Sequence, residues 1–188
     1  NTQTNELVFL DPNTGEIENR IRQIADPYQI GFSPDRKWFV SNSLRLDRVD
    51  IYRGDDFRLV KRIPIASMPS HMAFNRDSTM VFVTMQQTNR VAFIDLVKQE
   101  VVAQVDVGKQ PAGIHMTPDD KHLLVGVMGA DHAAVIDWRA GKVVKTIPTG
   151  KGAHNLMPVG DGRHVFITNR VANTISMIDQ QTLTVVDT

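Results

Sequence analysis

Short runs of apolar residues alternate with polar segments along the whole chain. Between residues 112 and 149 the runs AGIHM, HLLVGVM, AAVID and VVKTIPT are separated by TPDDK, GADH and WRAGK. Runs of this length, rich in Val and Ile and bounded by Asp, Gly and Pro, are typical of antiparallel β-strands joined by turns. No stretch keeps a helical period of about 3.6 residues over a helix-length window. The pattern therefore predicts an all-β fold.

The four-strand pattern recurs every 42 residues. Three sets of positions keep this spacing: Pro27, Pro69 and Pro111 with Ala153; Asp35, Asp77, Asp119 and Asp161; and Asp11, Asp95, Asp137 and Asp179. Four strands in a unit of this length are typical of one β-propeller blade. A stacked solenoid is the alternative, but solenoid repeats this long normally include a helix. We therefore predict a β-propeller.

The repeat register divides the chain into a half blade and four further blades. We expect one partial propeller domain over 1–188, with a half blade at about 1–26 and blades one to four at about 27–68, 69–110, 111–152 and 153–188. The half blade contains only a third and a fourth strand, so we expect about four and a half blades of a ring of about seven or eight. The alternative is a short chain whose ring is completed by a partner chain or a second copy.

Composition narrows the classes of partner. The 188 residues include 21 basic and 21 acidic ones, so no net charge attracts nucleic acid. There is no cysteine, which excludes disulfides and thiolate chemistry. No apolar run approaches the roughly 18 residues of a membrane span. We expect neither a nucleic-acid partner nor a membrane span.

Strand direction places several histidines on one face. Strands of a blade alternate in direction, so the segment entering the first strand and the loop between the second and third strands lie together at the channel mouth. His71, His154 and Asn155 fall in the entering segments, and His132 falls in a second-to-third loop. Converging neutral imidazoles suit zinc, copper or haem iron, and His71, His115 and His154 are the candidate metal ligands. The alternative is polar loop histidines, with His115 a hydrogen-bonded core residue.

Arginines form a second candidate cluster on this face. Arg48 and Arg90 occupy equivalent repeat positions, and Arg170 lies on the same kind of loop. Guanidinium groups around a channel mouth bind carboxylates or phosphates. The alternative is that they form structural pairs with Asp47, Asp131 or nearby carbonyls.

The sequence offers no catalytic residue. The aspartates that repeat every 42 residues are interpreted as turn residues whose side chains bond the local backbone. No Gly-rich phosphate loop and no Gly-x-Ser-x-Gly motif is present. We therefore favour a protein without catalytic activity of its own.

The repeat unit resembles the YVTN-type propeller repeat of surface-layer and periplasmic proteins. The tetrapeptides FVSN (39–42), FVTM (82–85) and FITN (166–169) stand where that repeat has its name-giving residues. NELVFLD (5–11), NRVAFID (89–95) and NTISMID (173–179) match its Asn-x-Val-x-x-Ile-Asp strand, and PDRKW and GDGRH match its turn. The resemblance covers the whole chain and implies a periplasmic or secreted protein.

Two functions follow from these observations. The first is an extracytoplasmic binding scaffold that presents channel-mouth loops to a protein or small-molecule partner. The second follows from a more distant resemblance to the haem-binding propeller of nitrite reductases and to quinone-dependent amine dehydrogenases. It implies part of a periplasmic redox enzyme or a haem or quinone cofactor-assembly protein, with haem or a divalent metal as cofactor.

Overall fold

The fold consists of one hairpin and four antiparallel four-stranded sheets. The computed structural model describes residues 4–22 and 24–188. The hairpin pairs β1 (Glu6–Leu10) with β2 (Ile17–Arg22). The repeated four-stranded sheets confirm the all-β propeller fold predicted from the 42-residue period. Within the described residues, no helix has the length and apolarity needed to cross a membrane.

Each sheet is built from four consecutive strands. Blade one contains β3 (Pro27–Phe32), β4 (Trp38–Ser43), β5 (Arg48–Arg53) and β6 (Leu59–Pro64). Blade two contains β7 (Pro69–Phe74), β8 (Met80–Met85), β9 (Arg90–Asp95) and β10 (Glu100–Asp106). Blade three contains β11 (Pro111–Met116), β12 (His122–Val127), β13 (His132–Asp137) and β14 (Lys142–Pro148), with a 3₁₀ turn at Met128–Ala130. Blade four contains β15 (Ala153–Pro158), β16 (His164–Asn169), β17 (Thr174–Asp179) and β18 (Thr184–Asp187).

The hydrophobic cores lie between neighbouring blades. In β8, Val81 and Val83 pack with residues of blade one, whereas Phe82 packs with residues of blade three. In β12, Val125 joins the core shared with blade two and Leu124 joins the core shared with blade four. Because successive residues of a strand face opposite sides and both sides are covered, the middle strands of blades two and three are apolar at most positions.

Hairpin turns use the repeated aspartates in most blades. Asp35 accepts a hydrogen bond from the Lys37 N–H (3.1 Å), and Asp179 accepts two from backbone N–H groups in the turn after β17 (2.8 and 3.1 Å). The turn interpretation is confirmed at these positions. In blade two the corresponding bonds go to Asn75 (2.8 and 3.0 Å) instead of Asp77, so there the sequence indicated the wrong residue of the turn.

A second Asp/Asn position, just before the third strand, ties each blade to the next. Its side-chain Oδ1 accepts a hydrogen bond from the backbone N–H 21 residues later, immediately before the next first strand. The pairs are Asn5 with Asp26 (2.9 Å), Asp47 with Met68 (2.8 Å), Asn89 with Gln110 (3.1 Å) and Asp131 with Gly152 (2.8 Å). Both residues of every pair have a positive φ, a conformation that Asn, Asp and Gly adopt most readily. We call this contact the interblade latch.

We expect the latch at Asp131 to contribute measurably to stability. Asp131→Gly keeps the backbone conformation and removes the hydrogen bond, so its free energy of unfolding should fall by about 1–2 kcal/mol. The free energy of unfolding of Asp131→Ala should fall further, because alanine also disfavours a positive φ. Asp131→Asn, the residue found at the equivalent position 89, is the control and should stay near the wild type. Urea denaturation measures all three; a Gly variant as stable as the wild type would show that the latch contributes nothing.

Candidate functional site

The first strands of successive blades line the central channel. β7 contacts β3 and β11, and β11 contacts β15. His71 is the third residue of β7 and His154 is the second residue of β15. The expectation that these histidines lie in loops entering the first strands is wrong, because the strands already begin at Pro69 and Ala153. Within a strand, their backbones are held by the sheet.

The structure brings His71 and His154 into contact across blade three. Their ring centroids are 5.7 Å apart and their planes are nearly perpendicular, at 89°, which is a favourable edge-to-face arrangement. The intervening strand β11 carries Gly113 at the repeat position that His71 occupies in β7. Because Gly113 has no side chain, nothing from that position lies between the two rings.

Glycines also allow β15 to approach blade three closely. A Cβ added at Gly113 would lie 2.6 Å from the His154 carbonyl oxygen, and one added at Gly126 would lie 2.4 Å from the same atom. Both distances are shorter than real Cβ contacts. Any residue larger than glycine at position 113 or 126 would therefore clash with the backbone of His154. Sequence reasoning did not identify these two glycines as part of the site, although glycine inside a strand is itself a signal of close backbone approach.

Buried hydroxyl groups fix the ring of His71. Its Nδ1 is 3.2 Å from Ser70 Oγ, which is 3.0 Å from Thr84 Oγ1. The Thr84 hydroxyl lies 2.7 Å from the Ala112 carbonyl, to which it donates. Tyr28 makes a second edge-to-face contact with His71, at 5.9 Å. The hydroxyl chain links blade two to blade three and holds the imidazole in place.

Both paired imidazoles are neutral near pH 7. Burial, together with the nearby His154, lowers the pKa of His71 to about 4 from its usual 6.5. Burial and the positive charge of Arg170 lower the pKa of His154 as well. Neutral imidazoles can donate and accept hydrogen bonds or bind a metal.

The three candidate arginines differ in their pairing. Arg48 lies 3.1 Å from the buried carboxylate of Asp50, and Arg90 lies 3.4 Å from the exposed carboxylate of Asp106. Among the described residues, Arg170 forms no ion pair, and its charge acts on His154. The carboxylates proposed from the sequence as structural partners, Asp47 and Asp131, serve in the interblade latch instead.

Of the remaining candidates, His132 and His115 take no part in the histidine pair, whereas Asn155 is next to it in the sequence. His132 is the first residue of β13 and not a loop residue as expected, and its Nδ1 is 2.9 Å from the Ala130 carbonyl. His115 Nε2 is 2.9 Å from Gln180 Oε1, between blades three and four, as the hydrogen-bonded alternative expected. Asn155 neighbours His154 in β15, and its Oδ1 would be 3.0 Å from a Cβ at position 113.

The three histidines proposed as metal ligands do not converge. His71 and His154 meet, but His115 bonds Gln180 elsewhere in the fold. No group of three His, Asp or Glu side chains in the part of the chain that the structure describes is arranged to hold a metal ion. Two imidazoles in edge-to-face contact therefore do not fit a haem or metal centre.

Acid should weaken the fold partly through His71. Below pH 6.5 the unfolded chain binds a proton at this residue, whereas the folded chain does not until about pH 4. Its contribution to stability is therefore complete above pH 6.5 and is lost as the pH falls towards 4. His71→Gln should lose less free energy of unfolding over this range than the wild type in urea denaturation. Parallel pH profiles for the two proteins would contradict the assignment.

Gly113→Ala should separate the two rings. Its Cβ meets a backbone carbonyl at 2.6 Å, so β15 must shift and the free energy of unfolding should fall by about 1–3 kcal/mol. Gly31→Ala is the control, because its Cβ meets only side chains, those of Phe74 (3.0 Å) and Met72 (3.5 Å), and a side chain can rotate away. Thermal denaturation compares the variants; equal losses would contradict the specific packing of β15 on Gly113.

Two solved structures illustrate the likeness of the fold. Hydrazine synthase of Kuenenia stuttgartiensis is 21% identical, with a TM-score of 0.79 over 86% of this chain and 48% of that chain. A functionally unknown protein from Desulfotomaculum acetoxidans DSM 771 is 15% identical, with a TM-score of 0.85 over 100% of this chain and 63% of that chain. The chain thus spans less than two thirds of either relative. At these identities the likeness extends to the fold alone.

Sequence comparison places the chain in a propeller family. No protein of curated function matches it. The family model described as YNCE-like beta-propeller matches residues 1–188. The resemblance to a repeat-propeller family is thereby confirmed at the level of the propeller, and the chain belongs to the YNCE-like β-propeller family.

Proposed function

We propose that this protein is a non-catalytic binding scaffold that recognises a carboxylate-bearing protein or small-molecule partner at the channel mouth. The observation that carries the proposal is the His71–His154 pair beside the unpaired cation of Arg170. The two imidazoles offer hydrogen-bond donors without a charge, and the guanidinium supplies the positive charge that a carboxylate requires. The rigid inner strands present these groups in a preformed arrangement, which reduces the entropy lost on binding.

The electrostatics of the site favour an anion over a cation. Burial and, after it, the charge of Arg170 already lower the pKa of His154, so a bound cation would add to an existing repulsion. A bound carboxylate would neutralise the guanidinium and stabilise a proton on His154. Binding of an acidic group should therefore raise the pKa of His154.

Completion of the ring by further blades, a partner chain or a second copy belongs to the same proposal. Phe82 in blade two and its repeat counterpart Leu124 in blade three are fully buried by the next blade. The next counterpart, Phe166 in blade four, is 40% exposed, beside Met157 and Ile175. An apolar sheet face of this kind normally packs against another element. The resemblance to surface-layer and periplasmic propellers supports a periplasmic or secreted location.

The second candidate is part of a redox enzyme or of a haem or quinone cofactor-assembly system. It is favoured by the two unprotonated imidazoles at the channel mouth and by a fold shared with a hydrazine synthase. The histidine pair by itself offers too few ligands for a metal centre. The carboxylate scaffold therefore remains the preferred proposal.

N-acetylglutamate tests the carboxylate site. NMR titration of the histidine ring protons should show the pKa of His154 rising when this probe binds. Arg170→Ala should lower the affinity for N-acetylglutamate by about tenfold or more, since a charge-assisted hydrogen bond contributes roughly 1.5–3 kcal/mol.

Arg90→Ala is the matched control, because Arg90 already pairs with Asp106 and its loss should leave the probe's affinity unchanged. No change in the His154 pKa, or equal effects of the two arginine variants, would overturn the proposal. Stoichiometric binding of haemin or Cu²⁺ that is lost in a His71→Ala/His154→Ala variant would support the redox candidate instead.

A further inference from the structure

A Trp–Arg–Asp cluster closes the gap between blades two and three on the face opposite the channel mouth. The indole N–H of Trp138 donates to the Asp120 carbonyl (2.9 Å), and Arg139 Nη2 donates to the Asp120 carboxylate (2.9 Å). The Arg139 guanidinium lies 4.2 Å from the centroid of the Trp138 ring, and that ring packs against Phe82 of blade two (5.4 Å). An aromatic ring, a cation and their acceptors thus fill this gap.

The next gap, between blades three and four, lacks all three of these side chains. The residues 42 positions later are Gly162 in place of Asp120, Gln180 in place of Trp138 and Gln181 in place of Arg139. Under the missing indole, His115 replaces Ala73 and bonds Gln180 at 2.9 Å. The imidazole and the carboxamide fill part of the volume that the indole fills in the preceding gap. Nothing in their chemistry replaces the Arg139 cation.

A cavity of about 260 Å³ remains in this gap. Its lining includes Asp119, His122, Gly162, Gln180, Gln181 and Leu183. A Cβ added at Gly162 would meet nothing within 4 Å, so the cavity is open beside this residue. The cavity lies on the opposite face from the His71–His154 pair and is independent of the proposed function. We call it the blade 3–4 cavity.

We propose that the blade 3–4 cavity binds a small aromatic amine, in which a planar ring is joined to an ammonium group. The ring and the ammonium group would take the places that Trp138 and Arg139 occupy in the preceding gap. The ring would lie over Gln180 and the apolar side chain of Leu183. The ammonium group would join Lys121, whose Nζ lies 3.8 Å from Asp119 Oδ2, as a counter-ion of the Asp119 carboxylate. It would also donate to the Gly162 carbonyl, the repeat counterpart of the Asp120 carbonyl that accepts from Trp138. The carboxamides of Gln180 and Gln181 supply further acceptors.

Tryptamine, which joins an indole to an ammonium group, is the probe. Calorimetric titration of the intact chain should give one site with a Kd of about 0.1–1 mM, the range expected for a ligand of this size. Putrescine, which has the cation without the ring, should bind at least about tenfold more weakly. Absence of tryptamine binding, or equal affinity for putrescine, would overturn the proposal.

Two variants locate the bound probe. His115→Ala/Gln180→Trp recreates the Ala73–Trp138 arrangement and should abolish tryptamine binding, whereas His115→Ala alone should retain it. Gln181→Arg, at an exposed position, places a competing cation in the cavity and should weaken binding at least about fivefold. Melting temperatures verify that each variant is folded. Unchanged tryptamine affinity in both the double variant and Gln181→Arg would place the probe elsewhere and overturn the assignment.

Discussion

One hydrogen bond recurs at the junctions between blades: a backbone N–H donates to an aspartate or asparagine 21 residues earlier. This latch fixes the residue just before each first strand, so it determines where the inner strands enter the channel. The positions of His71 and His154 depend on it, because both residues lie within three residues of a first strand's beginning. Both latch residues adopt a positive φ, and the acceptor must also carry a short side-chain oxygen, so Asp or Asn occupies that position in all four pairs.

The 42-residue period of the sequence was sufficient to predict the fold, but it predicted little of the site. Repeated prolines and aspartates marked the blades because turn chemistry must recur wherever the same hairpin recurs. The latch positions recur equally well, but Asn and Asp alternate there, and neither residue stands out among other polar loop residues. His71 and His154 approach to 5.7 Å between ring centroids. This contact requires the absence of a side chain at Gly113 and the close packing of the inner strands of blades two, three and four. Sequence spacing indicates a shared face, whereas such distances follow only from the packing of the strands.

His115 illustrates how neighbouring blades compensate for one another. In one gap a small Ala73 lies beneath a large Trp138, and in the next a larger His115 lies beneath a smaller Gln180. Total volume is conserved better than residue identity, as expected for closely packed interiors. The exchange is incomplete, since Gly162 and Gln181 also replace larger or charged side chains, and the blade 3–4 cavity is the result. Unusual bulk in a repeat position is therefore best interpreted together with the residue it faces in the next blade.

The histidine contact also depends on how far each blade is rotated from the one before it. His71 and His154 belong to blades two and four, so the distance between them spans two successive blade-to-blade rotations. A ring with more blades turns less at each step, and side chains that point towards its axis from alternate blades lie farther apart. A smaller rotation between successive blades would therefore separate the two rings. The separation of the two imidazoles therefore reports the rotation from one blade to the next.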